Sequence, residues 1–137
     1  MGKIVITTIV IFSLNACSLI ADNQDVSTRY TALEIVKQLE NNGIECSDPE
    51  RQESSKFERL RCENGSGELE FLIFENSARR DKQFNEWCGG YWKRYNNSGR
   101  YVYGENWFLS NMFRSLATVN EVATALNASN ESFNSNC

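Results

Sequence analysis

The chain has 137 residues, 14 Lys and Arg against 18 Asp and Glu, and a formal net charge of -4. It holds no histidine, five cysteines and one proline. Without imidazole, Ser-His-Asp and Cys-His catalysis and His-bearing zinc sites are excluded, and an acidic chain is a poor partner for nucleic acid.

Lys3 is followed by an uncharged run, Ile4 to Leu14. A bilayer span needs about 20 apolar residues, so this shorter run reads as the apolar region of an export signal. The residues that follow, Leu14-Asn15-Ala16-Cys17-Ser18, resemble the bacterial lipoprotein signal. That signal has an aliphatic residue three before the cut, a small residue just before it and cysteine just after. The resemblance implies a diacylglycerol on Cys17, cleavage after Ala16 and fatty acylation, of the palmitate kind, on the new amine. The expected location is then the extracytoplasmic face of a cell membrane, because two or more acyl chains anchor stably where one does not. An ordinary cleaved signal with an incidental cysteine is the alternative, and the lack of an A-x-A pattern before the cut speaks against it. Residues 1–16 would be removed, and 17–28 would form a lipidated tether.

Four cysteines remain: Cys46, Cys62, Cys88 and Cys137. An even number in an exported chain reads as a disulfide framework with three possible pairings. We favour Cys46–Cys62, tying two neighbouring strands across a polar loop, and Cys88–Cys137 as what is left. With no C-x-x-C and uneven spacing, neither a metal site nor a redox centre is expected.

Residues 29–128 read as a single domain. Thr31-Ala32-Leu33-Glu34 fits a capping box, and Tyr30, Leu33, Val36 and Leu39 recur at helical spacing, predicting a helix over 29–41 that stops at Asn41-Asn42-Gly43. Ile44 to Cys46 reads as a short strand. Residues 47–56 are polar, contain Pro49 and are expected to be an exposed loop. Phe57 to Cys62 and Glu68 to Phe74 flank Asn64-Gly65-Ser66-Gly67, which is hairpin chemistry. Asn76 or Ser77 caps a second helix at 77–88, with Ala78, Phe84, Trp87 and Cys88 inward and Arg79, Arg80 and Lys82 on a wet face. Arg100 to Leu109 is strand-like on both sides of Gly104. Thr118-Val119-Asn120-Glu121 fits a second capping box for a helix over 118–128. The polar tail 129–137 is expected to lack order unless Cys137 holds it. The fold class is α+β: one antiparallel sheet with about three helices packed mainly on one face, stapled by disulfides.

Asn42-Gly43-Ile44-Glu45-Cys46, Cys62 on the next strand, Gly104-Glu105-Asn106-Trp107-Phe108-Leu109 and a closing helix together resemble small, largely uncharacterised lipoproteins and secreted proteins of actinobacteria. The closing helix there often ends L-G-G, whereas here it ends Leu126-Asn127-Ala128. The resemblance covers most of 29–128 and implies a fold and a location, but no activity.

Charge is unevenly spread. Ser18 to Ala78 carries thirteen acids and six bases, while Arg79 to Arg114 carries seven bases, three acids and ten of the sixteen aromatics. Interleaved Tyr91, Trp92, Arg94, Tyr95, Arg100 and Tyr101 form the candidate ligand-binding segment, suited to a protein or an anionic envelope polymer. The competing reading places Phe84, Trp87, Trp107 and Phe108 in the core. The expectation is a non-catalytic binding module, membrane-bound through its lipid, with no cofactor. Two other classes stay open. One is an envelope-anchored inhibitor of a hydrolase such as lysozyme, from a faint likeness of Arg61-Cys62-Glu63-Asn64-Gly65 and Ser98-Gly99-Arg100-Tyr101 to C-type lysozyme inhibitor lipoproteins, which are all-β barrels. The other is a carboxylate-dependent hydrolase, although Glu45, Glu50, Glu53, Glu58, Glu63, Glu68 and Glu70 read as solvated faces.

Overall fold

The computed structural model describes residues 28–88, 100–110 and 116–132. Within them, in chain order, lie α1 (Ala32–Asn41), β1 (Ser47–Glu53), β2 (Glu58–Asn64), β3 (Gly67–Ile73), α2 (Ser77–Trp87), β4 (Arg100–Tyr103), β5 (Trp107–Leu109), α3 (Leu116–Ala125) and β6 (Ser129–Ser132). The strands form one antiparallel sheet in the order β1-β2-β3-β5-β4-β6. The fold is α+β, as the residue pattern predicts.

Both ends of α1 follow from local chemistry. The Thr31 hydroxyl accepts from Glu34 N–H, and the Glu34 carboxylate accepts from Thr31 N–H at 2.7 Å, which is the complete capping box. Those hydrogen bonds hold the Glu34 carboxyl below its ordinary range. At the other end Gly43 takes φ 72°. Ile44 N–H reaches back to Leu39 O at 2.9 Å and Gly43 N–H to Glu40 O at 3.0 Å, a Schellman closure. The same closure ends α3, with Ala128 N–H on Ala123 O and Asn127 N–H on Thr124 O. There Asn127 adopts φ 48°. Asparagine is the side-chain-bearing residue best suited to that left-handed position.

Alternation along the strands divides the core in two. Leu60, Cys62, Leu69, Phe71, Ile73, Val102, Trp107 and Leu109 point to one face, where they meet Ala32, Ile35 and Leu39 of α1 and Val119, Val122 and Ala123 of α3, with Leu126 just beyond that helix. Leu72, Tyr101 and Phe108 point to the other, where with Phe74 they meet Phe84 and Trp87 of α2. Two of the described helices therefore share a face and α2 covers the opposite one. Cys46 and Cys62 are disulfide-bonded, with Cα atoms 5.0 Å apart, fastening the segment after α1 to β2. Cys88 is buried and also disulfide-bonded; Cys137, its expected partner, lies outside the described residues.

Several expectations need correction. Residues 44–46 are not a strand, and 47–53 are not a loop but the edge strand β1. Nearly all of β1 is exposed on both faces, so it has no apolar alternation to betray it. Its bulge at Asp48 (φ 50°) accommodates Pro49 at a place where an edge strand tolerates it. The tail begins with β6, paired to β4 from Arg100↔Ser132 to Tyr103↔Ser129; 133–137 lie outside the described residues. Thr118 is buried inside α3 rather than capping it, since the helix starts at Leu116. In α2, Ala78 is exposed, whereas Arg80 and Gln83 are buried.

Candidate functional site

The described part of the basic, aromatic segment is structural. Tyr101 is buried, its ring stacked 3.7 Å from Phe84 and 4.5 Å from Tyr103 by centroid distance. Burial pushes its phenol far up, only partly offset by Arg80. Tyr103 is also raised, first by burial and then by its hydrogen bond to Glu131. Arg100 donates to Asn130 Oδ1 at 2.7 Å and also to the Asn130 carbonyl, holding β6 against β4. Tyr91, Trp92, Arg94 and Tyr95 lie outside the described residues, as does Cys17.

The glycine-containing G-E-N-W element is a turn that locks three parts of the chain together. Gly104 N–H donates to Trp107 O at 3.0 Å. The indole of Trp107 lies against the Gly104 Cα, where a Cβ would sit 2.6 Å from Cε2 and closer still to Nε1. Asn106 is buried; its Oδ1 accepts from Tyr30 N–H at 2.9 Å, and its Nδ2 donates to Tyr30 O at 3.0 Å and Phe74 O at 3.1 Å. From α2, Arg80 donates to the carbonyls of Gly104 and Glu105, pairs with Asp81 and lies 4.8 Å over the Tyr103 ring. Arg80 was expected on a wet face; these carbonyls and the carboxylate replace its water.

A polar ladder occupies the part of the second sheet face nearest β1. Glu70, half-buried, accepts from Arg61 at 2.6 Å and from the Ser110 hydroxyl at 2.5 Å, with Arg59 3.6 Å away. Glu70 raises the Arg61 pKa through that hydrogen bond. This carboxylate is thus an internal anchor, not the solvated group its sequence position suggested. Among the described residues, no three or more Cys, Asp or Glu are grouped as metal ligands would be.

A groove lies open at one end of the sheet. Its first part, about 260 Å³, is lined by Lys56 from the β1–β2 connection, Phe74 after β3, and Arg79, Lys82, Gln83 and Glu86 from α2. A second part, about 380 Å³, shares Lys56, Phe74 and Arg79 and extends past Ser54 and Glu75 to Tyr30 and Thr31, where the chain enters the domain. The connection between β1 and β2 is fixed by Ser54: its N–H bonds the Phe57 carbonyl at 3.0 Å and its hydroxyl the same atom at 2.7 Å. Asn76 caps α2 by accepting from Arg79 N–H. Glu75 pairs with Arg79 at 3.2 Å.

No protein-family model, curated protein or solved structure matches the chain.

The groove can hold a small ligand by charge and hydrogen bonding over the ring of Phe74, which is itself buried. Sequence reading missed it because its walls come from segments more than twenty positions apart. One signal was present: Lys56, Arg79 and Lys82 flank the apolar stretch Phe71 to Phe74, which had to end at a surface.

Proposed function

We propose that the protein is an exported, lipid-anchored binding module on the outer face of a bacterial membrane, without catalytic activity of its own. The signal-like segment ending at Cys17 supports the anchor, and the Cys46–Cys62 disulfide supports an oxidising compartment, since such bonds persist mainly outside the cytosol. Among the described residues no helix is long and apolar enough to cross a membrane. The observation that carries the non-catalytic part is that three polar side chains of the interior, Arg80, Asn106 and Glu70, are taken up in holding the fold. Arg80 and Asn106 fasten backbone, and Glu70 joins Arg61, Arg59 and Ser110. The groove beside them offers ammonium, guanidinium and amide groups suited to binding. Arg61, central to the inhibitor-like sequence, is held by Glu70, so no geometry here favours that reading over simple binding.

The test is metabolic labelling with a tagged fatty acid. The wild-type chain should carry the label and fractionate with membranes, and Cys17→Ser should lose both. A wild-type chain that never takes up label refutes the anchor. Envelope capture that is unchanged by Trp92→Ala with Tyr95→Ala refutes a binding role for the 91–103 segment and leaves the groove as the binding surface.

A further inference from the structure

The groove has a charge character opposite to that of the chain. Lys56, Arg79 and Lys82 line its first part against a single carboxylate, Glu86, in a protein of net charge -4. Glu75, in the second part, pairs with Arg79, which leaves about one surplus positive charge when all five groups are counted at neutral pH. Neither Lys56 nor Lys82 has an ion-pair partner among the described residues. Of the remaining acids of the second part, Glu58 is paired with Arg51, and Glu53 lines that part but not the first and forms no ion pair with Lys56. Gln83, 6% exposed, lines the same cavity with an amide held only loosely, at 3.4 Å, by Glu86.

We infer that this groove binds a singly charged phosphodiester, with Lys56 and Lys82 as the charge donors from opposite walls, Arg79 between them and the Gln83 amide beneath. A single surplus charge matches a diester better than a phosphate monoester, whose second ionisation leaves nearly two negative charges at neutral pH. The volume holds such a group with its flanking carbons. The location suggests the source. The groove reaches Tyr30 and Thr31, and residues 18–29 span at most about 40 Å when fully extended. If Cys17 is lipidated, headgroup phosphodiesters are the anions at highest local concentration, and tethering turns weak affinity into occupancy. The choice of headgroup rests on the anchored reading above; the phosphodiester site does not.

The experiment uses the full chain carrying Cys17→Ser, exported so that its disulfides form. Glycerophosphoglycerol is the soluble probe, followed by 31P NMR, and vesicles of phosphatidylglycerol in phosphatidylcholine are the membrane probe. Saturable millimolar binding of the soluble diester is expected, weakened at least tenfold by Lys56→Glu with Lys82→Glu and unchanged by Lys37→Glu on α1. Both lysines are exposed, and an unchanged urea midpoint shows that the variant is folded; single Lys56→Ala provides a milder second probe. Vesicle binding lost in the same double variant supports the headgroup as source. Diester binding without vesicle binding supports the site and assigns its ligand to a soluble or polymeric diester. No diester binding, or binding indifferent to the lysines, overturns the inference whatever the fatty-acid labelling shows. Label failing to appear while the diester binds overturns the anchor and leaves the site standing.

Discussion

Gly104→Ala should destabilise the domain by about 2–3 kcal/mol, the upper part of the range for forcing one extra carbon into a packed core. The new Cβ would meet Trp107 at Cε2 2.6 Å away, with Cδ1 at 3.0 Å and Nε1 nearest of all. Trp107 is fully buried and packs edge-on to Phe71 at 5.6 Å, so the indole has no free direction in which to move. Backing the turn away instead would pull the Gly104 carbonyl from Arg80 and the Gly104 N–H from Trp107 O. For a domain of this size the loss corresponds to a melting temperature lower by about 10–20 °C. Urea unfolding followed by circular dichroism, with disulfides intact, measures it. The decisive control is the double variant with Trp107→Phe. A smaller ring makes room for the methyl group, so the two changes should be less than additive by about 1 kcal/mol or more. An alanine variant within about 0.5 kcal/mol of the parent, or strict additivity in the double, would refute the contact argument.

Asn106→Asp keeps the shape but loses the Nδ2 donor to Tyr30 O and Phe74 O; a cost of about 2–4 kcal/mol is expected, read from the urea midpoint and from faster hydrogen exchange at Tyr30. Cys46→Ser with Cys62→Ser should lower stability by about 3 kcal/mol, the chain-entropy value for a loop of this length, in the same unfolding assay. Alkaline stability should fall as pH rises above about 10, the ordinary tyrosine range. Tyr101 keeps its proton in the folded state while the unfolded phenol ionises, so its contribution is complete below the unfolded pKa and is lost as pH rises toward the folded one. Tyr101→Phe should flatten that limb, and an unchanged limb would show that other groups govern it.

The elements legible in the sequence are those whose signals are local. The capping box at Thr31 and Glu34 and the glycine at position 43 mark both ends of α1 with groups that touch each other in the structure. The β2–β3 hairpin was readable because Asn64↔Gly67 closes a two-residue turn that its own residues prefer. The strands β1 and β6 were illegible for a common reason: both lie at sheet edges, are short or exposed, and owe their extended form to a neighbour's backbone rather than to apolar alternation. In α2 the inward stripe Arg80, Gln83, Phe84, Trp87 does have helical spacing, but two polar members disguised it. An arginine can be buried only if carbonyls await it, and those come from a turn twenty-four residues away. The groove shares this obstacle, since its two walls become neighbours only when the sheet places the β1–β2 connection beside α2.

The hold of Asn106 on Tyr30 has a mechanical meaning. Both backbone groups of Tyr30 are clamped to a side chain that is fixed in turn to Phe74, at the end of a central strand. Tension arriving along the chain from its N-terminal side therefore meets this clamp before it reaches α1. Several hydrogen bonds must yield together there, instead of the helix peeling away turn by turn. The domain is fastened at its point of entry, so a pull on the leading segment is passed into the middle of the sheet.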